Sequence, residues 1–199
     1  MTIVLLVEGN TETALRDKLK SFLDERAAME SKPKMALRPK DIMTLNPGKL
    51  CHRVRLELRD PRATAVVGLI DVYPKFASAS DAKRFLRDAV GDEPRFYAHA
   101  AQYDVEAWLL PYWDFICKRL GVQRARPGAD PEQVNLERPP SRRLDELYRI
   151  AKPPRKYIKP LEMAAVLRNQ DLTVAAAQCS ELKSLLNTLL TLAGLTLLP

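Results

Sequence analysis

Short apolar runs alternate with amphipathic segments along the first half of the chain. The run over residues 3–7 is continuous and ends at Glu8, and the run over residues 63–70 ends in the same way at Asp71. Continuous apolar runs of this length are typical of parallel strands, because helices cover both faces of such a sheet. Residues 12–30 between them carry apolar side chains at helical spacing. The pattern therefore predicts buried strands joined by helices.

Weaker signals extend this alternation through the rest of the chain. Residues 41–45 and 95–101 read as two further strands, and helical spacing recurs over 50–58, 80–90, 105–120, 144–150, 160–167 and 174–192. This order predicts an α/β fold with a mostly parallel four-stranded sheet flanked by helices and a helical C-terminal part. We expect an α/β domain over residues 1–120. Residues 121–199 would form a basic loop and a helical extension packed on the same domain.

Composition limits the classes of protein to consider. Of the 199 residues, 46% are hydrophobic, which is enough for a core, and no apolar run approaches the roughly 20 residues of a membrane span. The three cysteines, Cys51, Cys117 and Cys179, are widely spaced and odd in number, which favours reduced thiols over a disulfide framework. We therefore expect a cytoplasmic protein without a membrane segment.

The net charge of +7 indicates affinity for polyanions, and its distribution is uneven. Residues 138–159 contain eight arginine and lysine residues, and the acidic residues among them are Asp145 and Glu146. Two interpretations stay open: a solvated surface, or a surface that contacts phosphates with little sequence preference. The second predicts that the nucleic-acid-binding residues are Arg142, Arg143, Lys152, Arg155, Lys156 and Lys159.

Acidic residues follow the predicted strands. Glu8 and Asp71 end two of them, Glu106 follows the fourth, and Glu12 lies one helical turn beyond Glu8. The carboxyl ends of parallel strands meet at one edge of a sheet, where ligands bind. Carboxylates gathered there are suited to Mg²⁺ or Mn²⁺ and to metal-assisted phosphoryl chemistry. The alternative is that these acids only cap helices and turns.

Several short motifs, in order along the chain, resemble a known family. Residues 7–12, Val-Glu-Gly-Asn-Thr-Glu, resemble the first motif of Toprim-like domains, especially those related to the overcoming-lysogenization-defect nucleases. Residues 69–74, Leu-Ile-Asp-Val-Tyr-Pro, lie where Toprim domains carry Asp-x-Asp. This Asp-x-Tyr variant is similar to a bacterial Toprim-like family of unknown function. Residues 103–110, residues 154–159 and Cys179 resemble later motifs of that family.

The resemblance implies a Toprim-like (Rossmann-like) fold, a Mg²⁺ site and nucleic-acid cleavage in phage or mobile-element defence, frequently beside an ATPase. It implies that Asp71 is the chief metal ligand, that Glu8 is a general acid/base or a ligand, and that Glu106 and Glu12 support them. Tyr73 replaces the second acid, and a phenol with a pKa near 10 is a poor ligand for Mg²⁺. Either Glu106 or Asp104 supplies the missing carboxylate, or the metal site is weak or absent.

Two functions follow as expectations. The first is a Mg²⁺- or Mn²⁺-dependent nuclease with catalytic Glu8, Asp71 and Glu106. The alternative is a non-catalytic Toprim-like module that binds nucleic acid or an ATPase partner. Leucines at helical spacing over residues 182–192 predict a docking helix, which packs either on its own domain or on a partner, including a second copy.

Overall fold

The computed structural model describes residues 1–42, 45–133 and 138–199. For residues 10–13 it describes the backbone but not the side chains. Strands β1 (Thr2–Val7), β2 (Ala36–Asp41), β3 (Ala63–Asp71) and β4 (Phe96–Ala101) form, within these residues, one four-stranded sheet in the order β2-β1-β3-β4. Every neighbouring pair is parallel. This confirms the predicted α/β class.

Three helices provide the crossovers between the strands. They are α1 (Asn10–Met29), α2 (Pro47–Leu58) and α3 (Ala79–Val90). Asn46 caps α2, because its side chain accepts a hydrogen bond from Lys49 N–H, and Ser78 caps α3 in the same way through Asp81 N–H. These caps satisfy amide groups that the first turn of a helix leaves without partners.

Strand β2 lies mostly before the predicted strand at 41–45 and shares Asp41 with it, and residues 43 and 44 of that prediction lie outside the described residues. Pro39 lies inside β2, opposite Leu5 of β1. Since β2 is at the edge of the sheet, the missing amide hydrogen of Pro39 can face away from the ladder.

Two apolar cores lie on opposite faces of the sheet. Val4 and Leu6 point to the core shared with α2 and α3, whereas Ile3 and Leu5 point to the core shared with α1 and the C-terminal helices. This alternation follows from the two-residue period of a strand. The strands are therefore buried on both faces, as the continuous apolar runs predicted.

The chain after β4 is helical and covers one face of the sheet. It contains a 3₁₀ segment (Val105–Tyr112), α4 (Trp113–Leu120), a short 3₁₀ turn (Pro131–Gln133), α5 (Pro140–Arg149), α6 (Lys159–Leu167), α7 (Leu172–Ala176) and α8 (Ser180–Leu192). Helix α6 packs on α1, and α8 contacts β4. The predicted division at residue 120 stays a prediction.

The leucine stripe of α8 lies in the core of its own chain. Leu182, Leu185, Leu186, Leu189 and Leu190 are fully buried there. These leucines therefore pack on their own domain rather than on a partner, and contact with a second copy through other faces of α8 stays a prediction. Among the described helices, none combines the length and the apolar character that crossing a membrane requires.

Candidate functional site at the carboxyl edge of the sheet

The strand register brings the predicted acids to one edge of the sheet. Val7 pairs with Leu69, two residues before Asp71, and Asp71 pairs with Ala101 at the end of β4. Glu8 directly follows Val7. The carboxyl ends of β1, β3 and β4 therefore present their polar residues side by side, where open α/β sheets bind ligands.

Asp71 ends β3 and anchors the segment that follows β4. Its Oδ1 atom accepts a hydrogen bond of 3.0 Å from Val105 N–H, at the start of the 3₁₀ segment. Tyr103, just before that segment, has a φ of 67°, and its carbonyl accepts a hydrogen bond of 2.6 Å from Tyr73 N–H. These contacts hold the connections after β3 and β4 together and fix the start of the 3₁₀ segment beside Asp71.

Glu106 is the most deeply buried acid of this edge. Its side chain is fully buried; Oε1 lies within reach of Lys159, and Oε2 has no hydrogen-bond partner among the described residues. Burial, and after it the negative charge of Asp104, raises the pKa of Glu106 to about 7. A buried carboxyl with an unsatisfied oxygen is costly to the fold, and such groups concentrate at functional sites.

Asp104 is the second buried acid of the segment. Its Oδ2 atom accepts a hydrogen bond of 3.2 Å from Ser141 N–H in the first turn of α5, whereas Oδ1 has no hydrogen bond within the described residues. Burial raises the pKa of Asp104, although the bond from Ser141 and the charge of Lys159 oppose the change. Because the charge of Asp104 contributes to the raised pKa of Glu106, the two buried carboxylates lie within electrostatic reach of each other.

Lys159 supplies the cation of this group. Its Nζ atom lies 3.2 Å from Oε1 of Glu106. Burial acts to lower the pKa of Lys159, but the charges of Glu106, Asp104 and Asp71 outweigh it, so that the pKa is raised. Tyr157, two residues earlier, has a buried hydroxyl without a hydrogen bond among the described residues, and burial and the charge of Glu106 raise its pKa.

Glu8 lies at the other side of the edge and forms an ion pair with Lys75, from the connection between β3 and α3. Its side chain is partly exposed. The sequence analysis did not predict Lys75 as a site residue, because it is an isolated lysine in the turn after an apolar strand. Two of the predicted site acids, Glu8 and Glu106, are thus each paired with a lysine.

The predicted metal ligands fit a divalent cation only in part. Within the described residues, no group of three acidic, cysteine or histidine side chains is arranged to hold a metal ion. The side chain of Glu12 lies outside the described part of the chain. The donor chemistry does fit, because Glu106 and Asp104 each offer a buried hard oxygen atom that has no hydrogen bond among the described residues. Mg²⁺ commonly takes one or two carboxylates and completes its shell with waters and substrate phosphates.

The predicted nucleic-acid-binding residues are distributed along two elements. Arg142 and Arg143 lie on α5, where Arg142 is exposed. Lys152, Arg155 and Lys156 are exposed in the connection from α5 to α6, and Lys159 begins α6. Of these residues, the structure brings Lys159 into the acidic group. Sequence reasoning assigned it to phosphate contact, because nothing local marks its pairing with Glu106.

Comparisons with known proteins give a family. The model of a family described as Domain of unknown function (DUF4276) matches residues 7–190, so the chain belongs to this family. No curated protein matches the sequence. Among solved structures, the chain is similar to the C-terminal region of the Burkholderia pseudomallei OLD protein, with a TM-score of 0.49 and 15% identity over 94% of this chain and 97% of that one.

Proposed function

We propose that this member of a family of unknown function is a nuclease that cleaves nucleic-acid phosphodiesters with Mg²⁺ or Mn²⁺. The observation that carries the proposal is the buried pair of Asp104 and Glu106 beside Asp71 at the carboxyl edge of a parallel sheet. A core position would rarely hold two carboxyls with unsatisfied oxygens. These two carboxyls destabilise the fold, and a role in catalysis or binding would explain why the chain contains them.

Charge balance supports a cation as part of the working site. Asp104 and Glu106 both lie in the field of one ammonium group, that of Lys159. A phosphodiester is itself anionic, and these two buried carboxylates would repel it unless positive charge entered with it. A divalent cation bound there would supply that charge, polarise the phosphate and lower the pKa of a bound water.

The residues of the chain have separable roles in this proposal. Asp71 and Asp104 would hold the cation, with Glu8 as a further ligand or as a general acid/base. Glu106, with a pKa raised to about 7, is suited to accept or release a proton near neutral pH. Lys159 would balance charge next to the scissile phosphate, and the exposed Lys152, Arg155 and Lys156 would hold the backbone.

Asp71→Asn provides the direct test, because asparagine keeps an acceptor for Val105 N–H while it removes the charge. We expect the wild-type chain to cleave plasmid DNA, single-stranded DNA or RNA with Mg²⁺ or Mn²⁺, and Asp71→Asn to lose cleavage while keeping its circular dichroism spectrum. Asp88→Asn, an exposed acid on α3, is the matched control. Cleavage that survives in folded Asp71→Asn would refute the assignment.

A second function is favoured by the two lysine–glutamate pairs, which already neutralise part of the acidic group. In this alternative the chain is a non-catalytic module that binds nucleic acid or an ATPase partner. Lys156→Glu should then weaken nucleic-acid binding, whereas Asp71→Asn should leave binding and biological function intact. The role in phage or mobile-element defence belongs to either proposal and is tested by plaque counts in cells that carry or lack the gene.

A further inference from the structure

A cationic cavity lies between α4, the segment after it and α5, and the residues that line it are different from the acids of the carboxyl edge. Its volume is about 570 Å³, within the range of small-molecule sites. Four arginines line it: Arg124, Arg138, Arg143 and Arg149. Glu146 is the only carboxylate among the described residues that line the cavity.

The described carboxylates near the cavity compensate only part of the charge of these arginines. Arg138 forms an ion pair with Glu146, and Arg149 pairs with Asp145 at 2.6 Å. Arg143 donates from Nε to the carbonyl of Arg138 at 2.9 Å, a contact that orients its guanidinium without neutralising it. Within the described part of the chain, four guanidinium groups thus face two carboxylates, of which Asp145 lies outside the lining, so the cavity favours an anion.

The remaining wall is apolar. Trp113 and Leu147 form its buried part, while Ile150 is 42% exposed beside the arginines. Trp113 Nε1 donates a hydrogen bond of 2.9 Å to the carbonyl of Arg124, which fixes the indole and the segment that carries this arginine. A site for a small inorganic anion needs no such apolar wall.

We infer that this cavity binds a phosphorylated nucleoside, either a free nucleotide or the terminal nucleotide of a strand. Guanidinium groups bind phosphate oxygens in a bidentate manner, and they also stack on the faces of bases. The apolar wall would cover the sugar and one edge of the base. Helix α5 carries Arg143 and Glu146 and also contacts Asp104 through Ser141 N–H, so the cavity and the acidic edge share one rigid element.

Binding is measured in the Glu106→Gln background with EDTA, so that the result does not depend on the proposed nuclease activity. The probes are AMP and inorganic phosphate by calorimetry, and an oligonucleotide with and without a 5′-phosphate by fluorescence anisotropy. We expect saturable binding of AMP or of the phosphorylated oligonucleotide. If AMP and the phosphorylated oligonucleotide both bind, a free nucleotide is a sufficient ligand. If only the phosphorylated oligonucleotide binds, the ligand is the terminal nucleotide of a strand.

Two substitutions in the cavity should act in opposite directions. Arg143→Gln should weaken binding about tenfold, because it removes a charge-assisted contact. Glu146→Gln should tighten binding several-fold, because it removes the lining carboxylate and frees Arg138. Arg55→Gln, an exposed arginine of α2 on the opposite side of the sheet, is the matched control and should change nothing.

Three results would overturn the inference. The first is the absence of saturable binding of AMP and of both oligonucleotides at low salt. The second is equal affinity for inorganic phosphate and AMP, which would remove any role for the apolar wall. The third is an equal loss of binding affinity in Arg143→Gln and Arg55→Gln, which would mean that the effect depends on the net charge of the protein and not on the cavity.

Discussion

Lys159 Nζ lies 3.2 Å from Oε1 of Glu106, and this contact joins the first residue of α6 to the segment after β4. The lysine side chain is 46% exposed, whereas the glutamate is 0% exposed. Lys159 is therefore the counter-charge that the described residues supply to this buried carboxyl. A phosphate or a cation that approaches Glu106 must compete with, or replace, this ammonium group.

Glu106→Gln should make the fold less sensitive to rising pH. The folded-state pKa of Glu106 is raised from 4.5 to about 7, so the folded protein binds more protons than the unfolded chain between these values. Stability therefore falls as the pH rises through this window. Relative to wild type, the variant should gain about 1–3 kcal/mol between pH 5 and pH 8.

The measurement for Glu106→Gln is denaturant unfolding of both proteins at pH 5 and pH 8. A constant difference in the free energy of unfolding between wild type and variant at the two pH values would show that Glu106 does not titrate in this range. The same variant should lose nuclease activity under the proposed mechanism.

Glu132→Gln should destabilise the protein at both pH values, in contrast to Glu106→Gln. The Glu132 carboxylate is buried and accepts hydrogen bonds from Trp108 Nε1 (3.2 Å), Ser180 Oγ (2.9 Å) and Glu181 N–H (3.1 Å). It ties the Pro131–Gln133 turn to the start of α8. Loss of the charge should cost about 1–3 kcal/mol in urea unfolding. An unchanged midpoint of urea unfolding would mean that these hydrogen bonds do not stabilise the packing of α8.

Lys75→Met should strengthen metal binding if Glu8 is a ligand. Lys75 pairs with Glu8, so its ammonium group competes with any cation that Glu8 would bind. Because the pair is partly exposed, the expected gain in Mn²⁺ affinity is about two- to fivefold by calorimetry. Lys118→Met, an exposed lysine on α4, is the control. Saturable binding lost in Glu8→Gln and Asp71→Ala would support the metal proposal, and no binding in any variant would favour the non-catalytic module.

His99 should make the protein sensitive to mild acid. Its ring is buried on β4, its Nε2 atom lies 3.0 Å from Thr188 Oγ1 of α8, and burial followed by the charge of Lys83 lowers its pKa to about 4. The neutral ring therefore stabilises the fold fully above pH 6.5. That contribution, up to about 3 kcal/mol, is lost as the pH falls toward 4.

Unfolding of wild type and His99→Gln across pH 4–7 measures the effect. The variant should show a smaller loss of stability over this range, while His52→Gln, at an exposed site on α2, should follow wild type. Parallel curves for wild type and His99→Gln would contradict the assignment.

Part of the candidate site could be read from the chain because it depends on local pattern. Glu8, Asp71 and Glu106 each follow an apolar strand, and parallel strands end at the same edge of a sheet. Asp104 entered only as an alternative source of the missing carboxylate, although its two-residue spacing from Glu106 was visible. Tyr157 stood in a motif, but its buried hydroxyl beside the acidic group was not predictable.

The sequence by itself determined the alternation of strands and helices, the parallel sheet and the edge on which the acids gather. These features follow from apolar periodicity and from the geometry of crossovers, both of which are local. The tertiary structure decided that Pro39 lies in an edge strand, that the leucines of α8 are core, and that Lys159 pairs with Glu106. Each of these three features depends on which surfaces meet when distant segments of the chain pack together. Such contacts do not produce a periodic pattern in the sequence, so the pattern cannot predict them.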